Sequence, residues 1–246
     1  MKRISIITVS FNSEKTIRKT IEAVLNQTVS PYEYIIIDGK STDTTVDIAK
    51  EYTQSFEDKN IKYTIVSEKD NGIYDAMNKG IDLATGDIIG LINSDDWYEP
   101  NALEVVAKTY EAQPFDMFFA DIRLHKSNGN TIIKHSKLDR FPSSRHWNHP
   151  TTFITKATYN DLGKYSCTGL SDDFELYLKI RKSNKKIVVV NEVLANFVVG
   201  GVSNKKGFKE CRKRIKDRYR CYKNNGYSKF YYIECVLMEF AKMIMR

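Results

Sequence analysis

The chain of 246 residues is 41% apolar and 28% charged, an ordinary globular balance that fits one large domain or a domain with an appendage and excludes a disordered or fibrous protein. Its net charge of +7 is local, because ten Lys/Arg between Lys205 and Lys223 face only Glu210 and Asp217, and no nucleic-acid motif accompanies them. The four cysteines form no C-x-x-C pair and no zinc spacing, so reduced thiols in a cytoplasmic setting are the simplest reading, and no apolar run reaches membrane-spanning length.

From the N-terminus, ISIITV (4–9) reads as a buried β-strand rather than a signal peptide, since no small-residue cleavage site follows it. SEKTIRKTIEAVLNQT predicts a helix capped by Ser13, with Ile17, Ile21, Val24 and Leu25 on one face. YIIID (34–38) is a second strand. The next helix is capped by Ser41 or Thr42, with Val46, Ala49 and Tyr52 inward. KYTIVSE (62–68) is a third strand, followed by a helix that aligns Ile73, Met77 and Ile81. DIIGLIN (87–93) is a fourth strand, and Pro100 suits the first turn of a helix reaching Ala112. This alternation predicts an α/β fold with a parallel sheet and helices on both faces, whose ligands bind at the strands' carboxyl ends. Three of those ends carry polar groups: Ser10 to Asn12, Asp38, and Asp95 with Asp96.

Beyond Pro114 the pattern changes. FDMFFADIRLH and TIIKHS flank Asn128-Gly129, a hairpin signal; TTFIT, IVVVN and LANFVV read as short strands, and SDDFELYLKIRKSN as a helix from near Asp172. The last stretch reads as two helices, a basic one over 208–222 and one that places Ile233, Val236, Leu237, Phe240 and Ile244 on one face. The expected division is a catalytic domain over 1–204, with a nucleotide-binding half to 113 and an acceptor half from 114, and a basic, amphipathic extension over 205–246.

No G-x-G-x-x-G and no P-loop lysine follows the first strand, which excludes the usual glycine-rich phosphate cradle. A chain that handles phosphates without one needs positive charge from elsewhere, and a bound divalent cation supplies it. Asp95 and Asp96 repel each other unless something sits between them. Asp96 is expected to bind the metal, with Asp95 nearer the sugar or ribose; the competing reading is a helix cap near Pro100. Asp70 and Asn71 either reach the base or phosphates or cap the following helix.

TVSFN, IIIDGKSTDTT, ATGDIIGLINSDDWYEP and LSDDFELYLKI, in this order over roughly residues 1–200, resemble the family 2 glycosyltransferases of the GT-A fold, and the run DNGIYDAMNKGIDLATGDIIGLINSDD is most similar to bacterial members that build surface polysaccharides such as O-antigen or capsule. The resemblance implies inverting transfer of a hexose or N-acetylhexosamine from a UDP-sugar to a glycan, with Mn²⁺ or Mg²⁺ as cofactor. It places Thr8 and Phe11 at the base, Asp38 as acceptor of the base N3–H, Asp96 and Asp95 at the metal, and Asp173 as the base that deprotonates the acceptor. A strict D-x-D is missing, because the motif reads Asn93-Ser94-Asp95-Asp96, and the family's Arg-Asn pair reads Met77-Asn78, which leaves Asn78 alone facing the nucleotide-sugar. Asp173 and Asp172 open a helix and are also plain cap candidates. His149, Trp147 and Asp172 are expected on the acceptor side, with structural roles as the alternative for the His and a core role for the Trp. Gly200 to Ser203 is either a flap over the acceptor or a simple turn.

The basic and aromatic C-terminus is expected to touch an anionic membrane surface from the inner face, where lipid-linked acceptors reside; packing on the domain or on a second copy is the alternative. Two other classes compete. A sugar nucleotidyltransferase requires a glycine-rich, cationic first loop that SFNSEKT lacks, and a non-catalytic scaffold has no need of Asp38, Asp96 and Asp173 together.

Overall fold

The computed structural model describes residues 2–200 and 207–244. Strands β1 (Ile4–Ser10), β2 (Glu33–Asp38), β3 (Lys62–Ser67) and β4 (Ile88–Asn93) run parallel in the order β3-β2-β1-β4. Every residue of β1 and β2 is buried, because neighbouring strands and helices cover them on all sides, and their sequences are correspondingly near-continuous Ile and Val. Helices α1 (Ile17–Leu25), α2 (Thr45–Lys50), α3 (Thr53–Asp58), α4 (Ile73–Leu83) and α5 (Ala102–Ala112) connect these strands and follow them.

The sheet continues with mixed polarity. Past β4 come β8 (Phe153–Thr155), β6 (Met117–His125), β9 (Ile187–Val198) and the two-residue β5 (Trp97–Tyr98), and β7 (Thr131–Lys134) pairs with β6. β8 is antiparallel to both β4 and β6, so it joins the first and second halves into one sheet. A one-turn 3₁₀ helix (His149–Thr151) and α6 (Lys156–Leu162) flank β8, and α7 (Asp172–Lys182) leads to β9. α8 (Phe208–Asn224) and α9 (Tyr231–Ile244) end the chain.

Two apolar layers hold the sheet. One packs α1, α2, α3 and α5 on one face through Ile21, Val24, Phe56 and Val106. The other packs α4 and α7 through Met77, Ile81, Phe174 and Tyr177, and it includes Cys221, Tyr222 and Cys235 from the last two helices. Tyr222 is fully buried and its hydroxyl donates to the Pro142 carbonyl at 2.8 Å. α8 and α9 are therefore part of the second core layer.

Several local expectations change. Ser13 does not cap α1 with its side chain: its carbonyl accepts from Thr16 and Ile17, and its hydroxyl pairs with that of Ser94 at 2.8 Å. Neither Ser41 nor Thr42 caps α2; Asp43 accepts from the Thr45 amide at 3.0 Å, and the helical stretch breaks into α2 and α3. Ile73 opens α4 facing outward, while Ala76, Met77, Gly80 and Ile81 face the sheet. IVVVN and LANFVV are one strand, β9, whose register against β6 shifts around Asp121. The Asn128-Gly129 turn does join β6 to β7, with Gly129 at φ 82°. In α9 the apolar stripe is turned outward: Ile233, Leu237 and Phe240 are 58%, 63% and 59% exposed, while Cys235 and Glu239 are buried. The reason is an ion pair. Glu239 receives Arg214 Nε at 2.8 Å and lies 3.5 Å from an Arg218 nitrogen, which fixes the helix's rotation against α8.

At the amino ends of the strands, Glu33 is buried inside the sheet. It accepts from Ser5 Oγ at 2.7 Å and from the Thr85 amide at 2.5 Å, and Lys62 stands 3.4 Å away. Burial pushes its carboxyl up, but the hydrogen bonds from Ser5 and Thr85, with Lys62, outweigh this and leave it below the usual range. A lowered folded pKa stabilises above the unfolded pKa and is lost as pH falls through the folded one. Glu33→Gln is expected to cost about 1–3 kcal/mol at pH 7. That deficit should narrow in acid, below about pH 4. Urea unfolding at the two pH values checks both; an equal deficit at each would mean that the charge contributes nothing.

Candidate functional site

The parallel register determines where the site forms. Ser10 pairs with Asp38, Asp38 with Ser67, and Val9 with Asn93, so four strands end in one line. The order changes direction at β1, with β2 on one side and β4 on the other, and this is where open sheets of this type leave a crevice.

Asp38 lies in that line but is sealed. One oxygen accepts from Ser10 Oγ (3.1 Å) and Ser41 Oγ (2.5 Å), the other from the Ser41 amide (2.8 Å) and Ser67 Oγ (2.7 Å). Four donors and complete burial leave it no oxygen for a base, so the contact expected of it is corrected: Asp38 ties the ends of β1, β2 and β3 together. The next residue, Gly39, explains what takes its place. A Cβ on Gly39 would lie 2.4 Å from Asp70 Oδ2 and 3.4 Å from the Phe11 ring. Because Gly39 has no side chain, the half-buried Asp70 carboxylate and the 63% exposed Phe11 ring meet over its backbone. Asp70 Oδ1 accepts from the Gly72 amide at 2.8 Å, and Oδ2 carries no hydrogen bond among the described residues. Asn12 locks the loops around them, donating its amide to Ser41 Oγ at 2.8 Å and accepting from the Thr42 amide at 2.9 Å. Thr8 is elsewhere: it is buried and accepts from the Tyr34 hydroxyl at 2.9 Å, so it faces the core rather than a base.

At the end of β4 the two adjacent aspartates differ. Asp96 is wholly buried; Oδ1 accepts from the Val198 amide at 3.0 Å, and Oδ2 has no partner among the described residues. Asp95 is half-buried and makes no hydrogen bond or ion pair to another described residue. Burial raises both carboxyls above their ordinary range, and for Asp96 the neighbouring Asp95 charge raises it further. On the same turn Asn93 Oδ1 is also buried without a partner. Asn93 Oδ1, Asp96 Oδ2 and the Asp95 carboxylate are all oxygen donors, the kind that a hard divalent cation takes. No group of three or more His, Cys, Asp or Glu that could hold a metal ion is found among the described residues.

Asp173 sits on the first turn of α7, where the helix dipole favours a negative charge. Its Oδ1 accepts from the Tyr74 hydroxyl at 2.8 Å and from the Phe174 amide at 2.8 Å; its Oδ2 carries no described bond. The Tyr74 hydroxyl also lies 3.1 Å from the Leu170 carbonyl, so a residue of α4 fixes both the catalytic-base candidate and the loop before it. Burial, reinforced by the Asp173 charge, raises the Tyr74 phenol well above its ordinary value and keeps it a neutral donor. His149 is half-buried, with Nε2 3.3 Å from the Tyr165 hydroxyl. Burial lowers its pKa against the opposing pull of Asp173, which favours the neutral ring.

Three further expectations are corrected here. Asp172 is buried and saturated by the Thr168 amide (2.7 Å), the Gly169 amide (3.1 Å) and Arg220 (2.5 Å), so it braces the loop rather than contacting an acceptor. Trp147 stacks on Tyr177 at 5.0 Å inside the core, which removes its ring from any sugar. Asn78 uses its side chain on Tyr165, donating to the carbonyl at 2.9 Å and accepting from the amide at 3.0 Å, and so it positions a loop rather than a phosphate. Gly201 to Ser203 lie outside the described residues. Sequence reasoning missed Tyr74 and Arg220, whose partners are 99 and 48 residues away and leave no local signal.

With this geometry in place, the comparisons give the family. The chain belongs to glycosyl transferase family 2, whose description matches residues 5–191. A PGL/p-HBAD biosynthesis glycosyltransferase of Mycobacterium bovis is 30% identical over 220 residues, covering 86% of this chain and 83% of that protein. Among solved structures, S. aureus TarS superposes with a TM-score of 0.71 at 17% identity, over 97% of this chain and 43% of TarS, so this chain spans under half of that protein's length. A shorter TarS form, residues 1–349, has been solved with UDP-GlcNAc. The mannosyltransferase PcManGT from Pyrobaculum calidifontis, solved with GDP-Man and Mn²⁺, gives a TM-score of 0.67 at 15% identity over 98% of this chain and 69% of PcManGT. The fold is therefore the GT-A fold, and the protein is a glycosyltransferase.

Removing the Tyr74 hydroxyl tests the α4–α7 link. Tyr74→Phe should lower turnover about tenfold, the value of one hydrogen bond to a charged group, while nucleotide affinity stays within twofold. Unchanged turnover in the purified variant would show that Asp173 is held by other contacts.

Proposed function

We propose that this chain moves a hexose or N-acetylhexosamine from a UDP-sugar to a glycan acceptor, with inversion at the anomeric carbon. The observation that carries the reading is that Asp70, Asp95 and Asp173 each keep a carboxylate oxygen without a described partner, on loops gathered at the strands' carboxyl ends. The TarS complex with UDP-GlcNAc supports a UDP-sugar donor, and the PcManGT complex supports a divalent cation.

In this reading the uracil ring stacks on Phe11, and Asp70 Oδ2 accepts its N3–H. Gly39 leaves the room for both. Asp95, with Asn93 and the unpartnered Asp96 Oδ2, would hold Mn²⁺ or Mg²⁺, which offsets the charge of the donor diphosphate. Asp173 Oδ2 accepts the proton of the acceptor hydroxyl as that oxygen bonds to the anomeric carbon from the face opposite the nucleotide. The bond from that carbon to the diphosphate oxygen breaks, and UDP leaves with the bonding pair. Tyr74 and the amide of Phe174 hold the other Asp173 oxygen, so the carboxylate presents one fixed lone pair to the acceptor. Neutral His149, beside Tyr165, borders the same space and serves the acceptor or the donor diphosphate as a hydrogen-bonding partner.

The acceptor is read as lipid-linked, and the catalytic unit over 1–204 as brought to an anionic membrane by 205–246, in a cytoplasmic or inner-face setting. No helix among the described residues is long and apolar enough to span a bilayer. The support is the outward stripe of Phe230, Tyr232, Ile233, Leu237 and Phe240, together with the cations of α8.

Calorimetric titration with UDP, GDP, CDP and dTDP, each with and without Mn²⁺, tests the donor. UDP should bind best and need the metal, and Asp70→Ala should weaken it about tenfold. Asp38→Asn should instead lower the unfolding temperature. Preference for GDP would move the donor; no binding to any nucleotide would overturn the reading. Asp173→Asn should fold and bind UDP normally but lose turnover by about 10²-fold or more.

Flotation tests the membrane. The full chain should rise with phosphatidylglycerol vesicles at low salt and be released as salt increases. Leu237→Asp should weaken this. A chain that stays behind at low salt but sediments as a dimer would assign the stripe to a second copy.

A further inference from the structure

A second cleft lies beside the catalytic-base candidate, between the loop over 167–170 and α8. Its volume is about 490 Å³, and its lining runs over 167–170 on one side and includes Lys213, Lys216, Asp217 and Arg220 on the other. Lys213, Lys216, Asp217 and Arg220 fall at helical spacing on one face of α8.

The walls are fixed from behind. Asp172 accepts the Thr168 and Gly169 amides, and Asp217 accepts the Leu170 amide at 3.1 Å. Arg220 joins the two walls: it reaches Asp172, Glu175 (2.8 Å) and Asp217 (3.2 Å), and it also bonds to Thr168. Gly169 permits this approach, because a Cβ there would fall 2.1 Å from Asp217 Oδ1 and 2.2 Å from an Arg220 nitrogen. On its other side the same loop is bonded to α4, through Tyr74 to Leu170 and Asn78 to Cys167. The loop therefore lies between the cleft and α4, and Ser171 and Asp172 connect it to Asp173.

Arg220 is engaged by three acids, Asp172, Glu175 and Asp217, whose combined charge exceeds its own. Lys213 and Lys216 are exposed and have no hydrogen bond or ion pair among the described residues. Lys213 and Lys216, three residues apart on a helix held by a buried ion pair, are thus the cleft's cations without a described acid partner, free to meet an anion.

We propose that Lys213 and Lys216 form a subsite for a phosphate or diphosphate group carried by the acceptor. The hydroxyl to be glycosylated then lies toward Asp173, and the anionic end of the same molecule rests on α8. This rests on the assignment of Asp173 as the base but requires nothing of the nucleotide site. The cation pair acts on acceptor binding and orientation. It is not a catalytic group.

The test is titration of the ¹⁵N-labelled full chain, without metal, with methyl diphosphate as a water-soluble mimic of a glycosyl diphosphate. Amide signals of Gly169, Leu170, Lys213 and Lys216 should shift together and saturate. In Lys213→Gln/Lys216→Gln the apparent Kd at these amides should rise about fivefold or more, as expected for losing two partly exposed charge contacts. UDP affinity, measured separately with Mn²⁺, should stay within twofold. Both lysines point to solvent, so the variant should keep the wild-type spectrum elsewhere. Absence of shifts at these amides, or shifts that persist in the variant, overturns the subsite. A response to phosphatidylglycerol vesicles but not to the soluble diphosphate also overturns it and assigns the lysines to the membrane surface. Loss of UDP binding with the cleft response intact would sink the donor reading and leave this one standing.

Discussion

A carboxylate taken out of water has to be paired or hydrogen-bonded, and the architecture of this protein is arranged around that cost. Glu33 is satisfied by Ser5, Thr85 and Lys62 at one end of the strands, and Asp38 by three serines at the other. Asp172 is satisfied by two amides and Arg220, and Glu239 by Arg214. Each of these acids joins elements far apart in sequence. Asp70, Asp95 and Asp173 each keep an oxygen without a described partner and stand beside another acid: Asp70 overlies the residue after Asp38, Asp173 follows Asp172, and Asp95 precedes Asp96. Asp38 and Asp172 are satisfied and hold the backbone, whereas Asp96 is buried with Oδ1 on the Val198 amide and Oδ2 without a described partner.

The same pairing shows how far the site could be read from residues alone. The strand ends were legible, since apolar runs that stop at Asp38 and at Asn93 state where a buried strand meets solvent. Which acid of each pair faces outward was not legible. In a strand, alternation would decide it, but these acids lie in turns, where direction depends on what the following loop packs against. Asp70, from a different strand end, comes over the backbone after Asp38 because Gly39 has no side chain to exclude it, and this placement is what the proposed base contact rests on. Its position after the third strand made Asp70 a candidate for the base or phosphates, but the approach over Gly39 depends on tertiary packing. Trp147 and Asn78 fail as ligand candidates for a related reason: Tyr177 and the Tyr165 backbone, which use them, are brought near only by the packing of α4 and α7.

The last two helices carry a similar lesson about energetics. An apolar stripe predicts the buried face of a helix when nothing stronger competes. In α9 the ion pair of Glu239 with Arg214 and the burial of Cys235 turn the helix by roughly half a revolution, and the stripe is left in solvent. α8 meanwhile braces the loop ahead of Asp173 through Arg220. The basic segment thus has two faces, one integrated with the first turn of α7 and one open.

By itself, the sequence determined the alternation of buried strands and amphipathic helices, the absence of a glycine-rich phosphate loop, the concentration of cations over 205–223 and the family to which these motifs belong. These are local properties, encoded in periodicity, turn residues and short ordered motifs. Tertiary structure alone decided that β8 inserts between β4 and β6, that Tyr74 reaches Asp173, that Arg220 holds the Asp172 turn, and which carboxylates keep a free oxygen. Those outcomes depend on pairings between residues tens of positions apart. Their free energy comes from burial and desolvation, which no residue has until the chain has closed around it.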